Sequence, residues 1–305
     1  MTQRTSLVPT FSVIDGPVPD PYRDKVVYTY NDSPELWRRA LGDTLLFEWG
    51  DYEDTTRLLS PGEAGVRFFD RQLDLAGLLT GPRPRIRRIL DLGCGWGFIS
   101  YLLARRFHEC DRIDAINISP TQLDYCARFL ADHRLAERVR LFLCDGRDVD
   151  LLPDPHLPYD LVVVRGVYTH FRDDAYEASV AALSRRMRPG AILVISDTLF
   201  KQGPGTYTSA IPDMVDRLAC GNRKSPEYFA SVLERHGFSI ADMRVLPRNE
   251  DVIHWFRDVK SNIETHFPHG LSGPLEELRV MADNMSDALA RDKVSAYSVI
   301  ARRTA

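Results

Sequence analysis

No stretch of this 305-residue chain is apolar enough for long enough to cross a bilayer. The longest aliphatic runs, 161–164 and 191–195, hold a few residues each, and a spanning helix needs about 20. Basic charge is also scarce. Lys and Arg number 39 against 43 Asp and Glu, a net of −4, whereas a sequence-independent nucleic-acid binder needs a basic surface. The five cysteines, an odd number without paired spacing, give neither a disulfide framework nor a zinc motif. Cys94, Cys110, Cys126 and Cys144 fall in or beside expected core elements, so they read as buried thiols in a reducing cytosol. No basic-then-apolar leader opens the sequence, which adds to the expectation of a cytoplasmic protein. With 44% hydrophobic and 27% charged residues, the chain has the means for one sizeable core, or a core and a cap.

What is present divides at about residue 84. Residues 1 to about 27, with Pro9, Pro17, Pro19 and Pro21, read as an extended or poorly ordered arm that could reach a neighbouring subunit. Residues 28–83 read as a helical cap, with Leu36, Trp37 and Leu41 on one face and Phe68, Phe69, Leu73, Leu75 and Leu78 on another. From 86 onward short apolar strands alternate with helices. Strands are expected at 86–92, 112–118, 140–143, 161–164 and 192–195, with two more near 239–245 and 296–301. Helices are expected at 98–107, from Ser119-Pro120 to about 129, and from Ser225-Pro226 to about 236. A Gly/Pro/Ser-rich segment near 200–224 reads as a lid. Division into a 1–83 arm and cap and an 84–305 α/β unit follows.

The most informative run is Asp91-Leu-Gly-Cys-Gly-Trp-Gly97, where a buried strand breaks into a glycine turn and enters a helix. Glycines at 93, 95 and 97 permit a tight turn and let a ligand lie against bare backbone. A dinucleotide site of the dehydrogenase type wants Gly or Ala where Phe98 stands. The run instead resembles motif I of class I S-adenosylmethionine-dependent methyltransferases. That resemblance spans roughly residues 60–302. It implies a Rossmann-like, mostly parallel seven-stranded sheet with helices on both faces and S-adenosyl-L-methionine as cofactor, held by Asp91, Gly93, Cys94, Gly95 and Gly97.

Ile116-Asn-Ile-Ser-Pro-Thr-Gln122 sharpens the resemblance. Most of the superfamily ends this strand in an acid. A Gly/Ala-Ile/Val-Thr/Asn-x-Ser-x-x-Gln run is similar to the subgroup of cyclopropane fatty acid synthases, mycolic acid methyltransferases, tocopherol methyltransferases and isoprenoid C-methyltransferases. Carried over, Asn117 and Gln122 hold the ribose hydroxyls, and Asp145 with Gly146 meets the adenine. The segment from Tyr30 to Tyr52 looks like that subgroup's tyrosine-rich cap, which makes Phe47, Trp49 and Tyr52 candidates for the reaction chamber.

Strand 161–164 runs into Arg165-Gly-Val-Tyr-Thr-His-Phe171, at the end of the sheet where open α/β folds bind ligands. His170 is a candidate base or a structural residue, Tyr168 an aromatic partner for the sulfonium, and Asp197 a second candidate base or a plain loop acid. In cyclopropane and mycolic acid enzymes a Cys, a Glu and a His bind bicarbonate. Trp49, Thr169 and Asp197 stand at those positions here, which puts lipid cyclopropanation in doubt and favours simple methylation. Arg165, on the cofactor or the substrate side, and Lys201, Arg223 and Lys224 of the lid could receive an anionic group such as a diphosphate, or be a solvated basic loop. Tyr207 and the run His254-Trp255-Phe256 are further substrate candidates that could line the acceptor pocket, or could pack the cap against the sheet.

The expectation is an enzyme that methylates a small, partly apolar metabolite without a metal. Carbon is slightly favoured as acceptor, with an isoprenoid or its diphosphate in view. O- or N-methylation, methylation coupled to cyclisation, and a silent S-adenosylmethionine binder remain alternatives.

Overall fold

The computed structural model describes residues 11–16, 20–53, 58–201 and 216–304. It begins with β1 (Ser12–Val13), α1 (Pro21–Thr29), α2 (Pro34–Leu41) and α3 (Pro61–Leu75). Then β2 (Arg88–Leu92), α4 (Phe98–Arg106), β3 (Arg112–Asn117), α5 (Pro120–Asp132) and β4 (Val139–Leu143) alternate, and the chain crosses to β5 (Tyr159–Arg165). The second half holds α6 (Asp173–Arg186), β6 (Met187–Phe200), α7 (Pro226–Arg235), β7 (Phe238–Val245), α8 (Asn249–His266), α9 (Pro274–Ala290) and β8 (Val294–Arg303).

Eight strands form one sheet in the order β1-β4-β3-β2-β5-β6-β8-β7. The pairs from β1 through β6 are parallel, and β8 runs antiparallel to both β6 and β7. Seven of these strands are the expected Rossmann-like sheet; the eighth is the two-residue β1 on the edge. β2 is buried throughout, as a parallel strand covered by helices on both faces must be. Each face carries its own apolar core, one built on α3, α4 and α5 and the other on α6 and α7.

Local chemistry explains the element starts. Ser119 accepts from the Gln122 amide and Pro120 opens α5, and Ser60 forms a reciprocal capping box with Glu63 at the head of α3. The arm differs from expectation. Its described part pairs Ser12 and Val13 with β4 of the same chain, and Asp20 caps a regular helix, α1, that Pro21 initiates. In the cap, residues 42–53 are irregular and a second helix opens at Pro61, as their Gly and Pro content implies; what differs is that α3 ends at Leu75 and that α8 and α9 pack with α2 around Trp37, Trp255 and Phe256.

At the amino ends of the strands, buried Asp114 accepts hydrogen bonds from Arg88, Arg140 and Tyr159. That network seals the lower edge of the sheet. The carboxyl ends, with the glycine turn after β2, remain open to a cleft roofed by α1 and residues 45–48.

Candidate functional site

The glycine turn is held by its backbone. The amides of Gly93 and Cys94 both donate to the Ile116 carbonyl at 2.9 and 3.0 Å. Gly93 and Gly95 line the cleft with positive φ of 82° and 54°. A Cβ on Gly95 would meet only Gln122 Nε2, at 4.0 Å, so the backbone there is bare toward the cleft. Gly97 is different. It lies off the cleft wall, and a Cβ there would stand 2.4 Å from Cys126 Sγ, so this glycine lets α4 pack on α5. Asp91 lies beneath the turn, accepting from Ser100 Oγ at 2.5 Å; burial pushes its carboxyl up to about 6 against the pull of Ser100 and Arg165.

Asn117 and Gln122 meet on the wall. Asn117 Nδ2 donates to Gln122 Oε1 at 2.8 Å, while Asn117 Oδ1 accepts from the Ile118 amide at 2.8 Å. The shared bond turns the Gln122 amide nitrogen outward as a donor, where an acid would present only acceptors. Asp145 takes both a backbone and a bidentate side-chain bond from Arg147, whose Nη1 stands 3.6 Å from Asp20 at the head of α1. Arg147 therefore lines the same end of the cleft, as does Gly146.

The chamber end combines three parts of the chain. His170 follows β5 in a short 3-10 turn, and its Nδ1 hydrogen-bonds to the Ala219 carbonyl at 2.8 Å. A carbonyl accepts only, so Nδ1 carries the proton and Nε2 has the lone pair. Tyr30 Oη stands 3.5 Å from that Nε2. Burial lowers the His170 pKa to about 4, so the ring is neutral across the physiological range. Phe47 completes the wall, backed by Tyr30, Trp37 and Trp255. The segment over His170 is unusual: Leu218 and Ala219 are both left-handed, with φ of 52° and 54°. Asp216 ties it to Tyr22 and Lys25 of α1, and the Leu218 amide donates to Glu277 of α9.

Glu48 was not singled out from the sequence, yet it is buried on the cleft wall opposite Arg165. Its Oε1 accepts from Ser196 Oγ at 2.9 Å and from the Trp49 amide at 3.3 Å, and its Oε2 lies 3.4 Å from Arg165 Nε. Arg165 also donates to Gln72 and lies over the Phe68 and Phe69 rings at 4.8 and 5.0 Å. Its charge is matched inside the protein, unlike that of a free anion receptor.

Several expected residues point elsewhere. Tyr168 packs among Phe171, Tyr176 and Phe229, with its hydroxyl 3.5 Å from Ser179 Oγ, because its side chain leaves the 3-10 turn toward the α6–α7 face. Asp197 is sealed behind the chamber, accepting from the amides of Thr169 and Thr198. Trp49 turns onto Trp255 and Phe256, and Tyr52 stacks on His254 at 4.2 Å, so none of Trp49, Tyr52 and His254 is on the cleft wall. Lys224 is buried, donating to the carbonyls of Tyr168, Phe171 and Asn222, and Lys201 pairs with Asp292. Tyr207 and lid residues 202–215 lie outside the described residues. Among the described residues no group of three or more His, Cys, Asp or Glu gathers as a metal site, and no helix is long and apolar enough to cross a membrane.

Residues 89–190 match the family described as a methyltransferase domain. Tocopherol O-methyltransferase of Arabidopsis thaliana is 28% identical over 177 residues, covering 57% of this chain and 49% of that protein. The chain thus matches about half the length of this curated relative. The cyclopropane synthase MmaA2 of Mycobacterium tuberculosis superposes with a TM-score of 0.74 at 15% identity, over 93% of this chain and 99% of that one. Geranyl diphosphate C-methyltransferase of Streptomyces coelicolor A3(2), solved with Mg2+, a thiolodiphosphate analogue and S-adenosyl-L-homocysteine, gives 0.70 at 16% identity, over 94% and 100%. Identities this low establish a shared fold.

Proposed function

Because residues 89–190 are a methyltransferase domain seated on the class I fold, we propose that this chain methylates a small, largely apolar acceptor, at carbon, using S-adenosyl-L-methionine. The cleft suits that cofactor on its own evidence: bare backbone at Gly95, an outward amide donor at Gln122, and the Asp145–Arg147 pair beside Gly146. When bound, the cofactor supplies an electrophilic methyl group on a sulfonium. Gly93 and Gly95 give its approach, Gln122 positioned by Asn117 takes the ribose hydroxyls, and Asp145 with Gly146 takes the adenine.

The observation that carries the reading is the neutral imidazole of His170, whose Nε2 lone pair is held toward Tyr30 on the cleft wall. Nε2 is the atom to which the acceptor's proton passes, directly or through Tyr30 Oη. Val26, Leu45, Phe47 and Val167 line the cleft and exclude water from that exchange. An uncharged carbon acceptor is favoured because Lys201, Lys224 and Arg165 are all engaged within the protein. Arg23 of α1 also stands on the wall, which keeps a diphosphate ester as the second reading.

Incubation with S-adenosylmethionine and a panel of free isoprenoids, their diphosphates, phenols, amines and fatty-acyl acceptors tests this, with mass spectrometry reporting S-adenosylhomocysteine and product. The expected result is a product heavier by one methylene on a carbon of an uncharged acceptor. Methylation confined to diphosphates transfers the role to Arg23, and cofactor binding without turnover on any acceptor overturns the enzymatic reading. Gln122→Ala is expected to weaken S-adenosylhomocysteine roughly 5- to 30-fold, the loss of one or two hydrogen bonds, with little change in melting temperature. Titration calorimetry reads it, and an unchanged affinity removes Gln122 from the ribose site.

A further inference from the structure

His170 stands on a turn too short to hold itself. Tyr168–His170 form a single 3-10 turn, whose own bonds run from the His170 amide to the Val167 carbonyl and from the Phe171 amide to the Tyr168 carbonyl. A turn of this kind has poor hydrogen-bond geometry and no length over which to cooperate, so its other buried amides and carbonyls depend on partners outside it. Two side chains with no part in the proton transfer supply most of them. Asp197 Oδ2 accepts from the Thr169 amide at 3.0 Å, while its Oδ1 is anchored by the Thr198 amide at 2.8 Å. Lys224 Nζ donates to the Tyr168 carbonyl at 2.8 Å, to the Asn222 carbonyl at 2.6 Å, and to the Phe171 carbonyl. The Asn222 amide then closes on the Thr169 carbonyl at 3.1 Å.

Both side chains are buried and neither lines the cleft, so neither can meet the acceptor. Their charges are opposite, and each favours the ionised form of the other. An ammonium has three donors, and Lys224 spends them on three carbonyls while lying 5.6 Å over the Tyr176 ring. Burying a carboxylate and an ammonium costs more than apolar filling of the same space, so two of them around one short turn call for a task that apolar side chains cannot perform. That task is directional. Asp197 in β6 draws the Thr169 amide away from the cleft, and Lys224, just ahead of α7, gathers the carbonyls of Tyr168 and Phe171 on either side of His170. The same segment that ends in Lys224 brings the Ala219 carbonyl to His170 Nδ1 at 2.8 Å.

We infer that Asp197 and Lys224 are a pair of positioning residues, acting through the backbone of residues 168–171 to fix the His170 ring in one tautomer with Nε2 presented to the cleft. This rests on the role given to His170 above. The pair is neither the base nor an anion receptor: Asp197 has both oxygens on amides, and Lys224 has its donors on carbonyls. With either one removed, the turn loses an anchor, the ring gains freedom to leave the Ala219 carbonyl, and water reaches the imidazole.

Nuclear magnetic resonance of the full chain, labelled with 15N in its histidines, tests this, with the His170 signals identified by their absence in His170→Gln. Wild type is expected to show a single Nδ1–H tautomer that takes up a proton only near pH 4. Lys224→Met and Asp197→Asn are each expected to mix the two tautomers and to move that titration up to roughly 5 or higher, toward the ordinary value of about 6.5. Charge alone does not do this in both, because loss of the Lys224 cation raises an imidazole pKa whereas loss of the Asp197 anion lowers it. Tyr30, Asp216, Cys220 and Arg223, which also face the ring, are the same in both variants. Affinity for S-adenosylhomocysteine within about threefold of wild type shows that a variant is folded, and kcat is expected to fall roughly 10- to 100-fold, the effect of a misplaced group. Should Lys224→Met fail to fold, Asp197→Asn decides alone. A tautomer unchanged from wild type, or a titration that moves down in Asp197→Asn, overturns the assignment and leaves the methyltransferase reading in place. A loosened imidazole with undiminished kcat overturns the role of His170, and that of the pair with it.

Discussion

Gly97→Ala is expected to cost about 3–5 kcal/mol of stability and to lower the melting temperature by roughly 5–10 °C. Two penalties add. Residue 97 has a φ of +92°, which an L side chain rarely adopts, and the new methyl would meet Cys126 at 2.4 Å from Sγ, 3.2 Å from Cβ and 3.4 Å from Cα. The last two contacts involve atoms fixed to the α5 backbone, so relief requires moving α5 away from α4. Gln122 rides on the first turn of α5, so ligand affinity falls together with stability. Gly95→Ala, in the same motif, supplies the contrast. Its φ of +54° costs about 1 kcal/mol, but the space beside it is open, so the methyl enters the cleft. Thermal melting with calorimetry distinguishes the pair: Gly97→Ala should be a stability mutant, and Gly95→Ala a ligand-affinity mutant of nearly normal melting temperature. A Gly97→Ala protein that melts like wild type would mean that the α4–α5 contact is looser than the structure has it.

The strand–helix alternation from β2 to β6 was legible because each strand is a short apolar run closed by a turn signal. Positions near the glycine turn were legible for the same reason: backbone at Gly93 and Gly95 and the amides at Asn117 and Gln122 are fixed by their distance from a strand end. Orientation after β5 was not. Tyr168 and His170 lie two apart in a 3-10 turn, and only one of them reaches the cleft; local sequence does not say which. Asp197 is drawn inward by two amides, one of them from the distant Thr169, a partnership no spacing announces. Glu48 went unread because its meaning lies in Arg165 and Ser196, far along the chain, and a single acid between Phe47 and Trp49 looks like a solubilising residue. By contrast α8 carried a signal that went unused: Val252, Trp255, Phe256, Val259 and Ile263 are buried at helical spacing. The same holds for Leu275, Leu278, Met281, Ala282 and Met285 in α9. Of the two readings open for His254-Trp255-Phe256, pocket lining and packing, Trp255 and Phe256 follow the second, in a stripe that joins α8 to α2.

His170→Gln is expected to lower kcat by roughly 10²- to 10⁴-fold, the usual contribution of a general base, while changing cofactor affinity by less than about threefold. Glutamine retains a donor for the Ala219 carbonyl and an approximate shape, but its amide does not take a proton at neutral pH. The pH dependence makes the test specific. Burial holds the imidazole pKa at about 4, so Nε2 is already available at pH 7 and the acid limb of kcat attributable to His170 falls near 4 instead of at the ordinary value of about 6.5. Stability carries the same signature. Between about 6.5 and 4 the unfolded chain takes up a proton that the folded imidazole refuses, so the stability His170 provides is complete above about 6.5 and is lost as pH falls toward 4, by about 3 kcal/mol in all. Asp91 runs the other way. Its carboxyl, raised to about 6, favours the folded chain most below about 3.8, and that advantage is lost as pH rises through 6. The two partly cancel in wild-type protein, so the informative quantity is the stability of wild type minus that of His170→Gln, followed by denaturant unfolding from pH 7.5 to 4.5. That difference should fall steadily with acid. A flat difference, or a kcat limb at 6.5, would describe a solvated imidazole; rates retained in the variant would leave Tyr30 as the group that meets the acceptor.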